Sequence, residues 1–123
     1  MAQQPPQQTI SAATVQTPEP VATPQVGDCS LVNGYNWDVR IAYAVCMGES
    51  SNDPTNHNYS DVTQDDSWGL FQINLYGDLK YSRPSPEQLV DPAFNVNYAY
   101  GMWSRGGWSQ WGAYTSGKYL KYL

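Results

Sequence analysis

The chain has 123 residues, enough for one small domain with a single core. Its formal net charge is -5, and its basic residues Arg40, Lys80, Arg83, Arg105, Lys118 and Lys121 are scattered, which disfavours a nucleic-acid binder or adhesion to an anionic membrane. No apolar run is long enough to span a bilayer, so no membrane insertion is expected of this fragment.

Residues 1–26 are rich in Gln, Pro, Thr and Ala, carry Glu19 as their one charge and hold no aromatic ring. Such a stretch cannot bury enough apolar area to offset its ordering entropy, and it reads as a disordered or polyproline-like linker. The folded domain is expected over residues 27–123. The start lacks the basic and apolar regions of an export signal, and the chain reads as a processed fragment with an added Met1. Cys29 and Cys46 form an even count in a small domain, compatible with one disulfide and an oxidising compartment, or with two buried thiols.

"NWDVRIAYAVCMGES" predicts a helix with Asn36 as N-cap and Asp38 in the first turn. Trp37, Ile41, Ala44, Val45 and Gly48 fall at helical spacing and face a core. The helix ends on Glu49, where its partial negative charge disfavours an ionised carboxylate, and apolar neighbours push the pKa in the same upward direction. Glu49 is therefore a candidate proton donor, with a solvent-exposed helix end as the alternative reading of these residues by themselves.

Ser50–Ser67 is dominated by turn formers and reads as a loop or irregular hairpin. Asp53, Asp61, Asp65 and Asp66 do not match a calcium-loop spacing, and a single histidine, His57, gives little support to zinc or Ser-His-Asp chemistry. "WGLFQIN" predicts a strand, with Phe71 and Ile73 on one face and Trp68, Leu70, Gln72 and Asn74 on the other. Ser85, Pro86 and Gln88 form a capping-box signature, and Asp91 with Pro92 opens a longer helix whose stripe is Val96, Tyr100 and Trp103. Gly106 and Gly107 stop it, and a short aromatic tail with one or two helical turns follows. The many Tyr and Trp rings suit either stacking on neutral sugars or filling a core, and Tyr98 and Tyr100 are assigned to the core.

Taken in order, Glu49-Ser50, "GLFQIN" at Gly69–Asn74, Asp91-Pro92 through Asn95-Val96, and "WGAY" at Trp111–Tyr114 resemble the lysozyme-like superfamily, in particular its lytic transglycosylase and lysozyme domains. The resemblance spans roughly Trp37–Tyr114. It implies an α+β, mostly α-helical fold with a small β-hairpin lobe around Trp68–Asn74 and a cleft between lobes. It also implies cleavage of the β-1,4 bond between N-acetylmuramic acid and N-acetylglucosamine in peptidoglycan, with Glu49 as general acid.

In the family the carboxyl pKa is raised by an apolar pocket against a tryptophan, a place that motif alignment gives to Trp111. The aspartate of animal-type lysozymes, two residues before the glycine of "GLFQIN", is replaced here by Ser67. That departure favours the transglycosylase branch, with Glu49 as sole acid/base and the substrate's N-acetyl group stabilising the sugar cation. A muramidase using Asp66, or its neighbours Asp65 and Asp61, is the alternative, and a non-catalytic sugar-binding or regulatory module is the rival class.

Ser67, Trp68, Gln72, Asn74, Trp111 and Tyr114 are the expected substrate contacts, and a Cys29–Cys46 bond is expected to tie the entry segment to the catalytic helix. No cofactor or metal is expected. The expected partner is the peptidoglycan glycan strand, met by a monomer outside the cell or in its envelope, with attachment to a virion or secretion machine as a variant setting.

Overall fold

The computed structural model describes residues 27–123, so the linker expected over residues 1–26 lies outside the described residues. Gly27–Val32 and Trp37–Leu123 form one compact unit, mostly helical, with a three-stranded antiparallel sheet. Its regular elements in chain order are α1 (Val39–Ser50), β1 (His57–Ser60), β2 (Asp65–Trp68), β3 (Ile73–Asn74), α2 (Pro86–Leu89), α3 (Pro92–Gly106) and α4 (Gly112–Thr115). Short 3-10 segments at Cys29–Gly34, Gly77–Tyr81, Trp108–Gln110 and Lys118–Tyr122 complete it. No described helix is long and apolar enough to cross a membrane.

Helix α1 starts later than expected. Asp38, not Asn36, is the N-cap: its backbone is extended and its carboxylate accepts from the N–H groups of Arg40 and Ile41, two of the donors a helix start leaves unpaired. Trp37 is thereby left outside the helix and turns into the core, where it lies 5.2 to 5.9 Å from the rings of Phe71, Tyr100, Trp103 and Trp108. Its indole N–H donates to the Val32 carbonyl. Of the five tryptophans, Trp37 and Trp111 are buried in the core, and Trp68, Trp103 and Trp108 are half-buried. A disulfide joins Cys29 to Cys46, both buried, and ties the first 3-10 segment to the middle of α1.

The β lobe also differs from expectation. The single strand expected over Trp68–Asn74 is not formed, because Gly69 (φ 80°) and Gln72 (φ 50°) reverse the chain between β2 and β3. Strand β1 pairs with β2 in the register His57↔Trp68 to Ser60↔Asp65, and β2 pairs with β3 at Ser67↔Asn74 and Trp68↔Ile73. The polar Ser50–Ser67 stretch therefore supplies an irregular hairpin, and the lobe spans residues 57–74.

One buried side chain holds the reversal. Asn95 of α3 is fully buried; its carbonyl accepts from the Phe71 N–H, and its amide donates to the carbonyls of Trp68 and Leu89. These are backbone groups that a turn buried in the core cannot pair with itself. Gly69 is required beside it, since a Cβ there would lie 2.2 Å from the Leu89 carbonyl and 2.3 Å from Asn95 Nδ2, at a positive φ as well. The caps of the later helices are as read from sequence: Ser85 and Gln88 form the capping box of α2, Asp91 caps α3 at the Phe94 N–H, and Gly107 (φ 72°) ends α3.

Candidate active site

A cleft of about 270 Å³ opens between α1, the sheet and the C-terminal turns, lined by Gly48, Glu49, Asn58, Asp65, Ser67, Gln72, Gly112, Ala113, Ser116 and Lys118. Glu49 reaches it from the last turn of α1, half-buried. Its Oε2 accepts a 2.8 Å hydrogen bond from the Ala113 N–H, one of the donors left open at the start of α4.

Burial is the largest influence on this carboxyl and raises its pKa above the ordinary glutamate value. The Ala113 N–H and the Lys118 ammonium oppose the rise, whereas Asp65 adds to it. Gly48 lets these parts meet, because a Cβ there would stand 3.0 Å from the Ala113 Cβ and 3.6 Å from the Tyr119 backbone.

The opposite wall is an amide network whose polarity is fixed by backbone carbonyls. Gln72 Nε2 donates to the carbonyls of Asn56 and Gly69, both at 2.9 Å, so Gln72 Oε1 must be an acceptor. That oxygen accepts from Asn58 Nδ2 at 2.8 Å, and the same nitrogen donates to Asn56 Oδ1 at 2.7 Å. Asn58 is consequently locked with its amide nitrogen inward. Its Oδ1 accepts no hydrogen bond from the described residues and remains available to a donor in the cleft.

Of the expected contacts, Glu49, Ser67 and Gln72 come together in the cleft lining, and five others do not. Alternation along β2 puts Asp65 and Ser67 on the cleft face and Asp66 and Trp68 on the other. Asp66 Oδ1 there pairs with His57 Nε2 at 2.6 Å and with the Trp68 indole N–H at 3.0 Å, while the Trp68 ring is stacked on His57 at 3.6 Å. Asp66 is thus engaged away from Glu49, and the carboxylate that does line the cleft is Asp65.

Asn74 is occupied by the backbone: its Oδ1 accepts from the N–H groups of Asp66 and Tyr76, and its Nδ2 donates to the Gln64 carbonyl. Trp111 is 3% exposed, donates its indole N–H to the Phe71 carbonyl, is the N-cap residue of α4 and is not part of the cleft lining. Tyr114 lies between Trp108 and Tyr119, half-buried in a ring stack.

Three polar lining residues, Asn58, Ser116 and Lys118, carried no expected role. The alternation that separates Asp66 from Ser67 was available to single out Asp65. Asn58 becomes legible only once the Asn58↔Ser67 register is known.

No curated protein and no solved structure matches the chain. The family model described as "Lysozyme like domain" matches residues 29–113, a span that contains Glu49, the whole sheet, Asn95 and Ala113. Since that match covers well over half of the chain, the protein belongs to the lysozyme-like domain family, whose chemistry is that of peptidoglycan-related glycosidases.

Proposed function

We propose that this domain is a lytic transglycosylase, which cleaves the β-1,4 bond between N-acetylmuramic acid and N-acetylglucosamine in peptidoglycan with Glu49 as its single acid/base. The observation that carries this is the Glu49 carboxyl, which lines a polar cleft at the end of an apolar helix, accepts from the Ala113 N–H, and has its pKa raised above the ordinary glutamate value by burial. As the glycosidic bond breaks, Glu49 gives its proton to the leaving oxygen. The muramyl N-acetyl carbonyl then attacks C1 and holds the sugar as an oxazolinium ion. Glu49, now ionised, takes the proton of the muramyl 6-hydroxyl, whose oxygen closes on C1 to give the 1,6-anhydro product while the oxazolinium C–O bond breaks. The Ala113 N–H stabilises the ionised carboxylate between the two proton transfers.

Asp65 supports a second reading, hydrolysis, because it lines the same cleft and could orient a water toward C1. Mass spectrometry of the soluble fragments released from purified peptidoglycan separates the two. Anhydromuramyl ends from the wild type, absent with Glu49→Gln, are the expected result; reducing ends would transfer the assignment to hydrolysis with Asp65. Undiminished release by Glu49→Gln would overturn both, and no release by a folded wild type would favour a binding module. The disulfide and the substrate together support a location outside the cytosol, in the envelope or beyond it.

A further inference from the structure

The charges of the cleft are unevenly shared. Glu49 and Asp65 are its carboxylates, and Lys118 is the one cation among its lining residues. Lys118 forms no ion pair with any described residue, although two carboxylates share the cleft with it. Its backbone is held in place: Gly117 turns the chain at φ 80°, the Lys118 N–H donates to Ser116 Oγ, and the following residue packs against α1 at Gly48. The chain that carries the ammonium is thus anchored beside the turn that carries Glu49.

A plain N-acetylglucosamine polymer has no anionic group to meet an ammonium, whereas a muramyl-containing glycan carries carboxylates on its 3-O-lactyl group or on the peptide stem attached there. We propose that Lys118 forms an anion subsite of the cleft, recognising a carboxylate on the substrate's sugar substituent and so favouring acid-substituted glycans over neutral ones. This rests on the reading that the cleft binds peptidoglycan. Lys118 is exposed, so its contribution is that of a solvated ion pair, modest and screened by salt.

The test is binding, measured by calorimetry in the Glu49→Gln background so that nothing is turned over. The probes are a muramyl tetrasaccharide with free lactyl carboxylates, the same tetrasaccharide with those groups converted to amides, one bearing dipeptide stems, and the N-acetylglucosamine tetramer. Adding Lys118→Met should weaken the free-acid probe about two- to fivefold, and Lys118→Arg should restore it. The amide probe and the neutral tetramer should be unaffected by either change. If the dipeptide probe is weakened as much as the free acid, the carboxylate recognised can come from the stem; if it behaves as the amide, the lactyl group is the source.

Equal weakening of all probes, or of none, would overturn the subsite and leave the functional reading standing. Failure of every probe to bind a folded protein would overturn the reading itself and the subsite with it.

Discussion

The N–H of Ala113 donates to Oε2 of Glu49 across 64 positions of sequence. This bond joins the end of one helix, whose partial charge opposes an ionised carboxylate, to the start of another, whose open donor favours it. Burial outweighs the donor, so the carboxyl is raised but remains able to ionise and be held. An acid that must later act as a base needs both properties.

Glu49→Gln should reduce bond cleavage about 10²- to 10⁴-fold, the usual contribution of a positioned general acid, with the circular dichroism unchanged. The same variant tests the pKa. A raised folded value means that the native state binds the proton more tightly than the unfolded chain, so the wild type loses stability as pH rises from the unfolded value of 4.5 through the folded one. Thermal unfolding at pH about 4 and pH about 8 should therefore show the variant gaining on the wild type at the higher pH. A difference independent of pH would mean that the carboxyl is not raised.

Asn95→Ala should cost at least about 3 kcal/mol in urea unfolding, because it strands the Phe71 N–H and the carbonyls of Trp68 and Leu89 in the core. Asn95→Asp keeps an acceptor for Phe71 but loses both donors and places a charge in the core. It should rescue little. A loss below about 1 kcal/mol for Asn95→Ala would show that the turn is held by something else.

Asn58 and Gln72 should separate by phenotype. Asn58→Ala removes the free acceptor in the cleft and should raise KM by about three- to tenfold, the worth of one hydrogen bond, with a small change in stability. Gln72→Ala removes the donors to Asn56 and Gly69 and should lower Tm as well as activity. Identical effects of the two variants would contradict the assigned polarity of the network.

Reducing the Cys29–Cys46 bond should lower the unfolding free energy by about 2–4 kcal/mol, as expected for a closed loop of this modest length. Urea titrations with and without dithiothreitol measure it. Two alkylatable thiols in the untreated protein would deny the bond.

Much of the helical part was legible in the residues. The capping box at Ser85, the cap and proline at Asp91-Pro92 and the stop at Gly107 are local signals, satisfied within a few positions by side chains reaching their own backbone. The position of Glu49 at the end of an apolar helix belongs to the same class, and so does the order of motifs that points to the family. Asn36 failed as a cap only because Asp38, two residues on, offered the same chemistry nearer to the apolar run.

The β lobe and most of the cleft were different. "WGLFQIN" alternates like a strand, yet it folds back because Asn95, 24 positions beyond Phe71, accepts its N–H, and because Gly69 leaves the space that this amide occupies. Neither partner announces the other at short range. Which carboxylate lines the cleft with Glu49 depended on the face of β2, the polarity of the Asn58 amide depended on two backbone carbonyls at a turn, and the place of Lys118 in the lining depended on how the C-terminal turns dock against Gly48. Propensity and periodicity act over a few residues, so they specify helices and caps; a site assembled by hydrogen bonds across 14, 24 and 64 positions exists only when the chain has closed on itself.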